Sequence, residues 1–148
     1  MYLALIVLGV VVFLGVSALL ARVWSAEGAE RSAITDLVRA EARGDRKAAA
    51  GLLQGCRERP SCRTLVTHEV AALTRPGKVS ILQLQTSTGF SFTGTTGTAR
   101  VAWKVPTSLP IVQCVRVRRA GNVLSGLRIQ LLAISPRVKS DSACPATF

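Results

Sequence analysis

The sequence predicts an α+β protein: an N-terminal transmembrane helix, then three helices packed on a curved antiparallel sheet of about four strands. Three observations predict it. Every charged side chain lies after residue 21. Apolar residues then recur at three- and four-residue steps as far as residue 74, the amphipathic helix pattern. From residue 79 the chain turns to Val-, Ile-, Leu- and Thr-rich runs broken by Gly, Pro and Asn, the pattern of strands and turns.

The leader, MYLALIVLGVVVFLGVSALLA, contains neither a base nor an acid. A helix of about 20 such residues spans about 30 Å, the thickness of a bilayer's hydrocarbon core. Arg22 and Trp24 follow at once, an arginine able to snorkel beside an indole that prefers the headgroup region, and both read as a membrane-interface anchor. Residues 1–21 are therefore read as a membrane anchor or uncleaved signal. The run is overlong for a signal peptide and lacks a basic start, although Val16-Ser17-Ala18 offers a cleavage site. Residues 22–32 read as a short juxtamembrane linker and residues 33–148 as one domain, with a C-terminal tail at 135–148.

With 148 residues, 49% of them hydrophobic, the chain is sized for one domain and not for a multidomain enzyme. In the body, Ala33, Ile34, Leu37, Val38 and Ala40 form the apolar stripe of a helix for which Gly44 is a fitting C-terminal cap. Asp45 suits the N-cap of a second short helix, Arg46 to Leu53. A third, Arg63 to Thr74, closes on Arg75-Pro76-Gly77. Strands are expected at 78–87, 98–105, 110–119 and 122–134. Ala120-Gly121-Asn122 reads as a tight hairpin, and Gly89 to Gly97, carrying Phe90 and Phe92, as a longer connection.

A first helix ending in Arg43-Gly44-Asp45, a short second helix starting on that Asp, a third helix and then long meandering strands resembles the nuclear transport factor 2-like (NTF2-like) superfamily over roughly residues 30 to 134. Joined to a single anchor, it is similar to exported accessory proteins of actinobacteria. The resemblance implies a cone with a pocket between sheet and helices, catalytic in some members and used only for binding or assembly in many. Catalytic members place an acid, Tyr or His in that pocket. Here Tyr2 lies in the leader and the strands contain no acid, so no catalytic residue carries over.

Four cysteines, Cys56, Cys62, Cys114 and Cys144, are an even number in a small body and allow three pairings, of which Cys56 with Cys62 and Cys114 with Cys144 is preferred. Disulfides place the body outside the cytoplasm. The positive-inside rule points the other way, since Arg22 and Arg31 follow the span and nothing basic precedes it. The extracytoplasmic orientation is taken as the expectation.

Few residues here carry chemistry. His68, the one histidine, neighbours Glu69, but adjacent helix positions point apart and no nucleophile shares its face. A zinc site through Cys56, Cys62 and His68 lacks a fourth ligand and the compact spacing of structural sites. The glycines of 89–97 neither end in Gly-Lys-Ser/Thr nor open a helix, so they make no phosphate loop. No catalytic residue, metal or cofactor is expected.

The charge layout says more. The chain holds 19 Lys and Arg against 8 Asp and Glu, a formal charge of +11, and residues 71–148 hold ten bases and one acid, Asp141. Strand alternation sets Val101, Trp103, Val115 and Val117 on one face, the lining of a possible pocket, and Arg100, Lys104, Arg116, Arg118 and Arg128 on the other. Such a basic face keeps a small domain soluble or meets an anionic partner. Nucleic acid does not fit, because no aromatic residue is interleaved on that face for base stacking. The sequence thus predicts a non-catalytic, single-pass cell-membrane protein whose partners are membrane lipid through its first helix and an envelope protein or anionic surface. A small apolar-ligand or lipid-binding domain is the alternative. Like charges on the sheet oppose a symmetric dimer through it, and the oligomeric state stays open.

Overall fold

The computed structural model of the chain describes residues 2–87, 93–122, 126–139, 142–145 and 148, without the side chains of residues 4, 22–24, 93, 94, 122, 126 and 127. The architecture is α+β. Helix α1 runs Tyr2–Ala42, 41 residues without a break, or about 60 Å at 1.5 Å per residue. Its first twenty residues stand clear of the domain and expose Leu3, Ile6, Phe13 and Leu14 among others. They form a helix apolar and long enough to cross a membrane.

Beyond Ser25 the same helix turns one face inward, burying Ala26, Glu30, Ile34, Leu37, Val38 and Glu41 at three- and four-residue steps. The stretch 22–32, expected as a linker, is therefore helix, and the domain begins inside it. No proline interrupts it. Gly28 costs a helix about 1 kcal/mol, too little to break one whose neighbours are buried.

The end of α1 follows the sequence closely. Gly44 takes φ +77°, and the Asp45 N–H reaches back to the Ala40 carbonyl at 2.9 Å, wrapping the last turn. Asp45 Oδ1 then accepts the Ala48 N–H at 2.9 Å and caps α2, Arg46–Leu52. Helix α3 spans Pro60–Leu73 and starts three residues earlier than expected, because Pro60 sits where its missing N–H is harmless. The Cys56–Cys62 disulfide, with Cα atoms 5.3 Å apart, ties the α2–α3 connection to the first turn of α3.

Four strands follow: β1 Ser80–Gln85, β2 Thr93–Lys104, β3 Ile111–Asn122 and β4 Gly126–Ile134, in the order β1-β2-β3-β4, each pair antiparallel. Two expected connections are strand instead. β2 takes in Gly94 and Gly97, with Gly97 opposite Val117. Ala120, Gly121 and Asn122 stay in the ladder opposite Arg128, Leu127 and Gly126, with Gly121 using its positive φ inside the strand. The connection between β3 and β4, residues 123–125, lies outside the described residues. Phe90 and Phe92 also lie outside them.

One apolar cluster joins the layers. Ala99, Val101, Trp103, Val105, Val115, Val117, Leu131 and Ile134 of the sheet meet Ile34, Leu37 and Val38 of α1 and Val66, Val70 and Leu73 of α3. Each Val, Leu or Ile among them contributes about 1.5–3 kcal/mol of burial. One face of the sheet is thereby committed to the helices and the other is left outward.

Candidate anionic-partner face and the polar core behind it

The outward face is where the predicted cations fall. Side chains alternate along a strand, so with Val101, Trp103, Val115 and Val117 buried, Arg100, Lys104, Arg116 and Arg118 point away from the helices. Register adds the rest. Arg116 lies between Thr98 and Ala133, Arg118 between Thr96 and Gln130, and Arg128 opposite Ala120. Arg118 and Arg128 are exposed, and Arg100, Lys104 and Arg116 half-buried.

That face is not one continuous field, because the C-terminal tail crosses it. Val112 and Cys114 share the outer face yet are only 5% and 0% exposed. The tail first continues in the plane of the sheet beside β3, the Ser135 N–H donating to the Cys114 carbonyl and the Val138 N–H to the Val112 carbonyl, each at 2.8 Å, and its later residues lie over the face. Cys144 is bridged to Cys114, and Phe148 puts its ring 4.9 Å from the Arg116 guanidinium, a cation–π contact. The tail leaves Arg118 and Arg128 towards one end of the face and Lys104 towards the other. Arg100 borders a cleft of about 640 Å³, shared with Arg31, Gln85, Thr98 and Cys144.

Two buried carboxylates set the direction of the sheet against α1. Near the start of the domain Glu30, fully buried, takes Nε and Nη2 of Arg119 on Oε2 at 2.9 and 2.7 Å and the Ser87 N–H on Oε1 at 2.6 Å. Near the end of α1, Glu41 accepts from Gln113 Nε2 at 3.1 Å. β3 thus runs antiparallel to α1. Glu30 lies about 14 Å and Glu41 about 30 Å beyond Ala21 along the helix axis. Arg118, beside Arg119, and Arg128 therefore occupy the end of the sheet nearest the apolar segment, and Lys104 the far end.

Neither carboxylate was read as important in the sequence. Arg119 carried the signal: it is in phase with Val115 and Val117, a lone cation on the apolar face, which demands a buried partner. Gln113 was also in phase with them. Its Oε1 accepts the Trp103 indole N–H at 2.8 Å while its Nε2 also donates to the Ser135 carbonyl at 3.3 Å. Glu41 Oε1 is left without a hydrogen-bond partner. Burial, which outweighs the Gln113 hydrogen bond and is reinforced by the negative charge of Glu69, pushes the Glu41 carboxyl up to about 7.

The possible pocket residues Val101, Trp103, Val115 and Val117 are each 0% exposed within the core cluster, and none of them lines the cleft at Arg100. His68 Nδ1 lies 3.5 Å from Glu69 Oε1, but its ring is 81% exposed while that carboxylate is buried. Cys56 and Cys62 are joined to each other, which withdraws both thiols from a zinc site. Arg22 and Trp24 fall within α1, with side chains outside the described set.

Comparison with family models, with curated proteins and with solved structures found no match to the chain.

Proposed function

We propose that this chain is a single-pass membrane protein whose body is an extracytoplasmic binding or assembly module, NTF2-like in kind and not an enzyme, that offers the Arg118–Arg128 end of its sheet to an anionic envelope protein beside it. The observation that carries this reading is the alignment of β3 against an unbroken α1. A helix that passes from the apolar segment into the core holds the domain at a fixed height, with Arg118 and Arg128 about 14 Å above the end of that segment. The basic strip then runs about 26 Å further out to Lys104, counting strand residues at 3.3 Å each. A strip standing off the membrane meets a neighbour anchored in the same membrane better than it meets the bilayer.

Two disulfides support an oxidising compartment for the body. The apolar-ligand alternative loses ground because the side chains that would line its pocket are packed at 0% exposure.

The test is a photo-crosslinking residue in place of Gln130, which pairs with Arg118 on the outer face, in cells making the full chain. A discrete membrane-protein adduct is expected, lost in the Arg118→Glu/Arg128→Glu protein and weakened by salt. Adducts to lipid alone, or a protein adduct indifferent to charge reversal, would refute the reading.

A further inference from the structure

A second concentration of positive charge lies on the opposite, helical side of the domain. Two clefts, of about 750 and 370 Å³, meet there and share Ala48 and Arg57. Six cations line them against two carboxylates. Both carboxylates are engaged: Asp36 lies 3.6 Å from Arg39, and Asp45 caps α2. Among the described residues, Arg43, Arg46, Lys47, Arg57 and Arg63 have no carboxylate within ion-pair distance.

Arg57 is exposed and lies along α2. It lies inside the Cys56–Cys62 loop, and its guanidinium rests against Gly51 of α2, where any Cβ would run into Nη2. Arg63 follows the second cysteine directly. The disulfide thus brings two arginines from the connection and α3 against Arg46 and Lys47 of α2 and Arg43 of α1. Like charges gathered this way repel and weaken the fold unless something neutralises them.

The chemistry of the lining selects the ligand. Guanidinium forks match the oxygens of both phosphate and carboxylate groups, and a phosphate offers more acceptor oxygens in the same space to forks converging from several sides. A protein partner, however, needs aromatic or large apolar anchors at the centre of its contact. Among the described residues, Leu52 is the one large apolar residue lining either cleft, and Ala40, Ala48, Ala50 and Gly51 are the small ones. Small residues leave room for a slender chain of charge. Own-membrane headgroups are out of reach, since Arg39 and Arg43 lie about 27 and 33 Å beyond Ala21 along α1, several screening lengths of about 8 Å.

We propose that this double cleft binds closely spaced phosphate groups, as a short soluble oligophosphate or as a segment of a phosphate-bearing polymer, with Arg57 as its central ligand.

The experiment is calorimetric titration of the full chain in neutral detergent micelles at low ionic strength with three probes: tripolyphosphate, long-chain polyphosphate and poly-glutamate. Both phosphate probes are expected to bind, at least tenfold more tightly than poly-glutamate per charge. Tighter binding of tripolyphosphate assigns the soluble source, and tighter binding of the long chain assigns the polymer. Arg57→Ala should weaken binding at least tenfold. Gly51→Ala should weaken it several-fold while leaving the melting temperature unchanged or raised, since it displaces the guanidinium without removing its charge. Lys78→Ala, an exposed base that lines neither cleft and lies outside the outer basic face, should bind as the parent does. Equal affinity for poly-glutamate, no binding of either phosphate, or full affinity in both Arg57→Ala and Gly51→Ala would overturn the proposal.

Discussion

Glu30 of α1 and Arg119 of β3, 89 positions apart, form a two-armed ion pair in which the carboxylate is fully buried and the guanidinium 14% exposed. The pair fastens the first buried turns of α1 to the sheet, about 14 Å beyond the apolar segment. Its strength lies in what is lost when one partner goes. Arg119→Met strands a buried carboxylate with the Ser87 N–H as its remaining described donor, and such a break costs about 3–5 kcal/mol. Denaturant unfolding should show that loss for Arg119→Met, and most of it recovered in Glu30→Leu/Arg119→Leu, which removes both charges. A single-variant loss below about 1 kcal/mol would mean the pair is solvated in solution.

How much of this was legible follows from range and period. The cap at Asp45, the turn at Gly44 and the six-residue Cys56–Cys62 bridge are local, and local signals survive without a partner. The basic face is a period-two pattern that strand alternation fixes once the strands are known. The continuity of α1 was hidden by charge. Ala26, Glu30, Ile34, Leu37, Val38 and Glu41 have helical spacing throughout, but two glutamates on the buried stripe make it read as solvent-facing. The helical cleft was hidden by distance, since Arg43, Arg57 and Arg63 sit in separate segments and their meeting depends on the disulfide and on Gly51. The tail's path over the sheet had one trace, Val112 and Cys114 in phase with the cations, apolar residues on a face that otherwise reads as exposed.

Glycine to alanine should have opposite signs at two sites. At Gly97 a Cβ would stand 2.7 Å from the Ser87 Cβ, and Ser87 cannot retreat without losing the N–H that caps Glu30. Overpacking of this kind costs about 1–3 kcal/mol. At Gly28, exposed on α1 with nothing within 4 Å, alanine should add up to about 1 kcal/mol of helix stability. Melting temperatures of the two variants should straddle the parent, and a fall in both would show that α1 needs Gly28 for something other than its conformation.

The two disulfides should differ in worth. Bridging cysteines 6 and 30 residues apart stabilises by roughly 2 and roughly 4 kcal/mol through chain entropy. Loss of the longer bridge also frees the tail from Val112. Cys114→Ala/Cys144→Ala should therefore melt lower than Cys56→Ala/Cys62→Ala and become sensitive to proteolysis after Ile134. Equal melting temperatures and an uncut tail would show that the Ser135 and Val138 hydrogen bonds hold the segment by themselves.

Stability should fall as pH rises towards neutrality, and Glu41 is the reason. Its carboxyl titrates near 7 in the folded chain against 4.5 ordinarily. Below 4.5 both states carry the proton and pH has no effect through this group. Between 4.5 and 7 the unfolded chain ionises while the folded one keeps its proton, so the folded state loses ground. Above 7 both are ionised and the deficit persists, at most about 3 kcal/mol for a shift of this size. Glu41→Gln should flatten that profile and, at about pH 8, be more stable than the parent, because its amide still accepts from Gln113 with no charge to bury. Glu69→Gln, which removes the nearest negative charge raising this carboxyl, should move the midpoint of the decline to lower pH. Urea unfolding from about pH 4.5 to 8 reads all three proteins, and an unchanged decline in Glu41→Gln would assign the proton to another group.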